Sequence, residues 1–340
     1  MTDRVAGAEL ARRLYEEHLA AVLPMPHAAA HLGWGSDVLG FDDARSTDHG
    51  FGPRLTVLVD ADQVAAAADA IEAALPDDVA GWPTRFGWDD VPVTHHVQVG
   101  ELGEWLAGRI GFDAREPIAT IDWLLTPQQR LLEVTAGAVF HDDGRLGPVR
   151  EALRWYPPDV WLWLLASQWR RIAQEESFAG RAAEVGDELG SRVITARLAR
   201  DVMRLCFLLE RRYAPYAKWL GSAFAKLDAA RDVGPALDAA LAAGSWAERE
   251  NGLVAAYEAA ARRFDGLGIA EPIDPSTHAY YTRPFRVIGG DRIVEACVAR
   301  IEDPALRTLP AIGGIDQIVD STDALDLSRR SAFAALYRGL

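Results

Sequence analysis

A glycine followed by a hydroxyl residue, with an acid downstream and a β-prone run after it, is a combination that can serve phosphate chemistry. Gly35-Ser36 follows the apolar residues 32–34, and Ser46-Thr47-Asp48-His49 precedes Leu55-Thr56-Val57-Leu58-Val59. Glycine lets a backbone loop approach a triphosphate closely, and carboxylates hold Mg²⁺ between the phosphates and an attacking hydroxyl. Gly35 and Ser36 are thus candidates to seat an NTP, and Asp48 a candidate Mg²⁺ ligand. The plainer reading of Gly-Ser is an ordinary turn, and that of Asp48 a turn cap. Other groups are weighed in the same way. His95 and His96 are adjacent on a β-prone run and point to opposite faces, so they do not converge with His49 on one ion. Arg197, Arg200, Arg204 and Arg211 fall at offsets of three, seven and fourteen, one face of a helix. Such a row can clamp a phosphate or carboxylate, or lie solvated beside Asp201 and Glu210. Trp161, Trp163 and Trp169 can stack a base, but at helical spacing aromatics mostly fill a core.

The elements that must carry these residues change character along the chain. Leu10, Leu14 and His18 recur every four residues and predict a lead-in helix ending before Pro24. Residues 28–60 read as a loop feeding the strand at residues 55–59. Val64, Ala67, Ala68, Ile71 and Leu75 predict a second helix, and residues 95–99 another strand. Beyond about Trp155, Trp161, Leu164, Leu165, Gln168 and Ile172 keep helical spacing, as do Ile194, Leu198, Leu205 and Leu209. Pro215 is expected to bend or end that second long helix, and a third is expected over residues 246–264. A further helix is expected over residues 292–301, in a tail that packs on a bundle. The fold class is α+β: a domain of alternating helix and strand at 1–150 followed by a helical-bundle domain with a C-terminal tail at 151–340.

Length and charge bound the partners. At 340 residues, with 35 basic and 50 acidic side chains for a net −15, the chain suits two domains and opposes a nonspecific grip on nucleic acid. Cys206 and Cys297 each sit in apolar stretches, as reduced core residues do, so no disulfide is expected. No stretch nears the roughly 20 apolar residues of a membrane span, and a cytoplasmic protein is expected.

A wider set of motifs occurs in order. They are Gly35-Ser36-Asp37-Val38-Leu39-Gly40, Asp48-His49-Gly50-Phe51-Gly52-Pro53-Arg54, Ala136-Gly137-Ala138-Val139-Phe140-His141-Asp142 and Trp155-Tyr156-Pro157-Pro158-Asp159-Val160-Trp161. Gln174-Glu175-Glu176, Gly186-Asp187-Glu188-Leu189-Gly190-Ser191, Tyr213-Ala214-Pro215-Tyr216-Ala217-Lys218-Trp219 and Gly314-Ile315-Asp316-Gln317 follow. Together they resemble the bacterial family catalogued as domain of unknown function 4037, and the first pair resembles the signature of the DNA polymerase β-like nucleotidyltransferase superfamily. The resemblance implies a nucleotidyltransferase-like α/β first domain with a mixed sheet. It also implies an acceptor-activating carboxylate from the helical domain, for which Glu176 and Asp187 are the candidates, and a phosphate-neutralising role for Lys218, which can equally snorkel from the core. The chain departs from the superfamily pattern twice. Gly50 stands where a second acid is expected, and Gln98 occupies the strand expected to bear the third. Asp122 would complete the Mg²⁺ pair with Asp48 if its segment were a strand. Two functions follow as expectations. One is Mg²⁺-dependent transfer of a nucleoside monophosphate from an NTP to a small-molecule acceptor. The other is a catalytically degenerate relative that binds a nucleotide or metabolite, or acts as a protein-interaction module.

Overall fold

The computed structural model describes residues 5–338. The chain forms two compact units, and neither is a single stretch. Unit 1 comprises residues 1–122 and 129–154, and unit 2 comprises residues 123–128 and 155–340.

Unit 1 is built on a five-stranded mixed sheet. Its elements, in chain order, begin with α1 (Gly7–Arg13), β1 (Ala28–Ala30), β2 (Arg54–Val59) and α2 (Val64–Ala74). A small hairpin, β3 (Asp78–Val79) and β4 (Trp82–Pro83), leads to β5 (Arg85–Trp88), β6 (Val91–Glu101) and α3 (Leu102–Ile110). Then come α4 (Thr120–Leu125), whose last three residues belong to unit 2, α5 (Gln128–Thr135), whose first residue does so too, β7 (Val139–Asp142) and α6 (Leu146–Ala152). The strand order is β5-β6-β2-β1-β7, with β2 and β6 parallel and the other neighbours antiparallel. Because side chains alternate along a strand, β2 sends Leu55, Val57 and Val59 into a core shared with Ala29, Val97, Leu10, Leu14, Ala67 and Ile71. Each fully buried Leu, Val or Ile there contributes roughly 1.5–3 kcal/mol. Arg54 and Thr56 are left for the opposite face.

The lead-in helix departs from a uniform four-residue repeat. After α1 the chain widens into a π-helical turn over Leu14–Leu19, and Leu19 rather than His18 is fully buried. A π-turn spaces equivalent positions by five residues, which carries the apolar stripe from Leu14 to Leu19.

Unit 2 is helical: α7 (Pro158–Glu175), α8 (Phe178–Glu184), α9 (Glu188–Leu209), α10 (Ala217–Phe224), α11 (Val233–Ala242) and α12 (Trp246–Asp265). A hairpin of β8 (His278–Ala279) and β9 (Arg286–Val287) precedes α13 (Asp291–Val298), α14 (Pro304–Thr308) and α15 (Ile315–Ile318). Pro158 starts α7, Asp187 caps α9 by accepting from Gly190 N, and Ser245 with Glu248 forms a capping box on α12. α7 runs through the middle against α9 and α13, with Trp163 and Trp169 fully buried. Trp161 Nε1 donates to Leu208 O at 2.8 Å and Trp163 Nε1 to Leu309 O at 3.3 Å, so these aromatics hold the helices together.

Pro215 does not end α9. The helix stops at Leu209, Arg211 takes a left-handed φ of +52°, and Arg212 N closes back on Phe207 O at 2.9 Å. This is a Schellman-type stop with arginine where glycine is usual, at a cost of about 1–2 kcal/mol. The guanidinium lies 4.2 Å from the Trp161 ring centroid, an attraction that offsets part of that cost. The same twist takes Arg211 off the helical face of Arg197, Arg200 and Arg204. No helix among the described residues is long and apolar enough to cross a membrane.

Candidate functional site

The polar face of the unit 1 sheet follows from strand register. β2 and β6 pair in parallel with Arg54 opposite His96 and Thr56 opposite Gln98, so these four side chains share the face away from the core. α3 leaves directly from β6 and brings Arg109 back over it. Arg109 Nη2 donates to Gln98 Oε1 at 3.0 Å, and Nη1 stands 3.7 Å from the buried Glu133, which also pairs with Arg130 at 2.7 Å. A narrow polar cavity lies between Arg54, Thr56, His96, Gln98 and Arg109, with Leu32 and Trp34 at its edge. Arg109 is largely removed from water, and that burial draws its pKa down despite Glu133.

The loop after β1 wraps around Arg54. Asp37, 6 % exposed, stands 3.0 Å from His31 Nε2 and pairs with the Arg54 guanidinium, whose other arm donates to Trp34 O at 2.9 Å. Burial alone would raise the Asp37 carboxyl, but His31 and Arg54 together hold it well below the usual carboxylate range. Gly35, at φ +127°, crosses directly above this pair, and a Cβ there would collide with the Asp37 carboxylate and the Arg54 guanidinium. Gly35 is therefore required by a buried ion pair next to it. Ser36 Oγ lies 3.4 Å from Ser46 Oγ, which ties the Gly-Ser turn to the 3-10 helix Ala44–Asp48.

Aromatic rings form a lip beside the cavity. Trp34 is 40 % exposed, and its ring centroid is 5.6 Å from that of Trp88 and 4.4 Å from the Arg54 guanidinium carbon. Trp88 and Phe86 in turn pack on His96 at 5.0 and 4.3 Å.

The candidate acids Asp48 and Asp122 lie on separate elements. Asp48 is exposed, with its Oδ1 2.7 Å from Nδ1 of the equally exposed His49. Gly50 has φ +62°, and a Cβ there would meet Trp34 Cη2 at 2.8 Å, so the packing of Trp34 explains why no acid stands at this position. Asp122 lies in the first turn of α4, so the strand on which its ligand role depended is a helix instead. Ile121, Trp123, Leu124 and Leu125 are an apolar run too short for periodicity to tell helix from strand. Among the described residues, no group of three or more His, Cys, Asp or Glu side chains is arranged to hold a metal ion.

In unit 2 the remaining candidates have separate positions. Glu176, just past α7, is buried and accepts from the backbone N–H groups of Ile288 and Gly289. Burial pushes its carboxyl up to about 7, against the pull of those donors. Asp187 is exposed and accepts from Gly190 N at 2.8 Å as the cap of α9. Lys218 is exposed on α10, its Nζ 5.3 Å from the Trp219 ring. Among the described residues, no hydrogen bond or ion pair joins these three to one another.

Arg54, Arg109, Asp37, His31 and Trp34 were not singled out from the sequence. Arg54 precedes an apolar strand and reads as its boundary, and Arg109 reads as a basic residue in the last turn of a helix. The usable signal was the two-residue alternation Arg54-x-Thr56 and His96-x-Gln98, a polar set on two strands that also carry core valines.

No curated protein and no solved structure matches the chain. Residues 123–220, which run from α4 through the long helices α7 and α9 to Leu220, match the family model described as Domain of unknown function (DUF4037).

Proposed function

We propose that the chain is a nucleotidyltransferase-like protein of the catalytically degenerate kind, whose N-terminal unit binds a nucleotide or phosphorylated metabolite without needing Mg²⁺. The observation that carries this reading is the sheet face on which Arg54, Thr56 and Gln98 stand beside Arg109, where two-ion chemistry would call for carboxylates. Guanidinium groups in a partly desolvated cavity favour anions, and Arg109 is anchored through Gln98 for bidentate contact. The cavity is too narrow for a base, which Trp34 and Trp88 at its edge are suited to stack instead. An anion here gains from local charge while the net −15 opposes it at distance.

One observation favours the alternative, Mg²⁺-dependent nucleotidyl transfer to a small-molecule acceptor. The Ser36–Ser46 contact brings the Gly-Ser turn against the helix that ends at Asp48, whose exposed carboxylate, held at Oδ1 by His49, can meet a hydrated ion through its other oxygen.

Calorimetric titration of the four NTPs, with Mg²⁺ and with EDTA, separates the two. Binding is expected to persist in EDTA and in Asp48→Ala, and to weaken by about tenfold or more in Arg109→Ala. Binding that requires both Mg²⁺ and Asp48 would overturn the metal-independent reading and support a transferase.

A further inference from the structure

The helical unit holds a second concentration of positive charge. Arg197, Arg200 and Arg204 recur along α9, and Arg171 of α7 joins them around a cavity of about 110 Å³ closed by residues 316–320. Arg171 Nη1 donates to Gln317 O at 2.5 Å and Arg204 Nη1 to Asp316 O at 2.7 Å, which fixes both guanidiniums against the end of α15. Arg200 Nη2 bonds Asp320 Oδ1 at 2.5 Å, and Arg197 Nε lies 2.9 Å from Glu175.

Each acid on the cavity wall already has a partner. Asp201 is engaged by Gln168 Nε2 at 3.2 Å and by Arg171 Nε at 3.1 Å. Asp316 is half-buried, takes a hydrogen bond from Gln128 N at 2.7 Å, and burial raises its carboxyl above the usual value against the pull of Arg204 and that donor. That leaves Asp320, whose side chain is 75 % exposed. Its carboxylate is held below the usual range by the hydrogen bond from Arg200, with Arg204 and Arg171 adding to the field. Arg200 Nε and Arg204 Nε are buried and have no acceptor among the described residues. Asp320 thus marks a point at which Arg200 holds one anion in the field of Arg204 and Arg171, and the Nε donors of Arg200 and Arg204 remain unused.

We propose that this cavity is an oxyanion site, which takes one phosphate-sized dianion, either inorganic phosphate or the head of a phosphate monoester, and releases Asp320 from Arg200 as it does so. Size limits the ligand. The volume equals roughly three or four waters at about 30 Å³ each, far below the several hundred Å³ of a pocket that encloses a whole metabolite. Only the oxyanion enters, and any organic group attached to it stays outside.

Inorganic phosphate, and separately methyl phosphate, titrated calorimetrically into the full chain tests the site. Arg109→Ala, which removes the anion contact proposed in unit 1, is expected to retain one phosphate site of wild-type affinity, which separates this site from the one in unit 1. Arg200→Gln is expected to weaken binding by about tenfold or more. Asp320→Asn is expected to tighten it by about three- to fivefold, because a competing carboxylate is gone. Methyl phosphate binding as well as phosphate assigns the site to a monoester head, whereas binding of phosphate alone assigns it to the free ion. No binding to either wild type or Asp320→Asn overturns the proposal. So does affinity that Arg200→Gln leaves unchanged, or that Arg109→Ala abolishes. If circular dichroism shows Arg200→Gln unfolded, Asp320→Asn decides, since a purely structural tether has no reason to bind phosphate more tightly when cut.

Discussion

Single positions in this protein are constrained by what already fills the space beside them. At Gly50, the left-handed backbone and the Trp34 ring act together, and an aspartate there must displace the indole before it can approach an ion. Gly50→Asp is expected to lower stability by about 1–3 kcal/mol and to raise the accessibility of Trp34 to a fluorescence quencher, without creating Mg²⁺ affinity. Unchanged melting with new Mg²⁺ binding would contradict that steric account. Glu176 makes a prediction about pH. Its carboxyl is raised by burial from 4.5 to about 7, so between those values the unfolded chain has lost a proton that the folded chain keeps. The stability linked to this proton is complete below about pH 4.5 and is lost as pH rises to about 7, by on the order of 3 kcal/mol at most. Glu176→Gln, which cannot titrate, is expected to melt with a flatter pH profile over that window, and parallel profiles would refute the linkage.

Between elements, close approach decides more than local preference does. Gly252 of α12 faces α11 so tightly that a Cβ would lie 2.6 Å from Ala240 N and 2.8 Å from Ala236 O. Alanine is the better helix former by about 1 kcal/mol, but both opposing atoms are backbone and cannot step aside. Gly252→Ala is therefore expected to cost about 1–3 kcal/mol in thermal or urea unfolding. Gly221→Ala on α10, with nothing within 4 Å, is expected to gain about 0.5–1 kcal/mol. The same contrast explains what could be read beforehand. β2 was legible as a run of β-prone residues and α7 by its helical spacing, and the tryptophans of α7 took the core positions that spacing implied. The π-turn at Leu14–Leu19, the stop at Arg211 and the helix around Asp122 depend on backbone geometry that no periodicity encodes. Gln98 was visible as the polar residue between two valines. Its partner Arg109 was not, because pairing across eleven positions and two element types leaves no mark on either residue's neighbours.

At the scale of the whole chain, six residues belong to a unit that otherwise begins at Trp155. Within unit 2, Gln128 N bonds the half-buried Asp316, Gln128 Oε1 receives Ala214 N at 2.6 Å, and Thr126 Oγ1 receives Arg330 Nη1 at 2.9 Å. A fragment cut at the domain boundary expected from the sequence, residues 151–340, lacks those three hydrogen bonds. It is expected to be less stable to urea than residues 123–340 by about 0.5–1.5 kcal/mol per bond lost. Equal stability would mean that water replaces the lost contacts. The interleaved chain also bears on inheritance. A single genetic crossover at the 154/155 joint would hand a new gene the helices but leave the donor's six-residue segment behind. The exchange would succeed only where the recipient already encodes a residue able to do for Asp316 what Gln128 does.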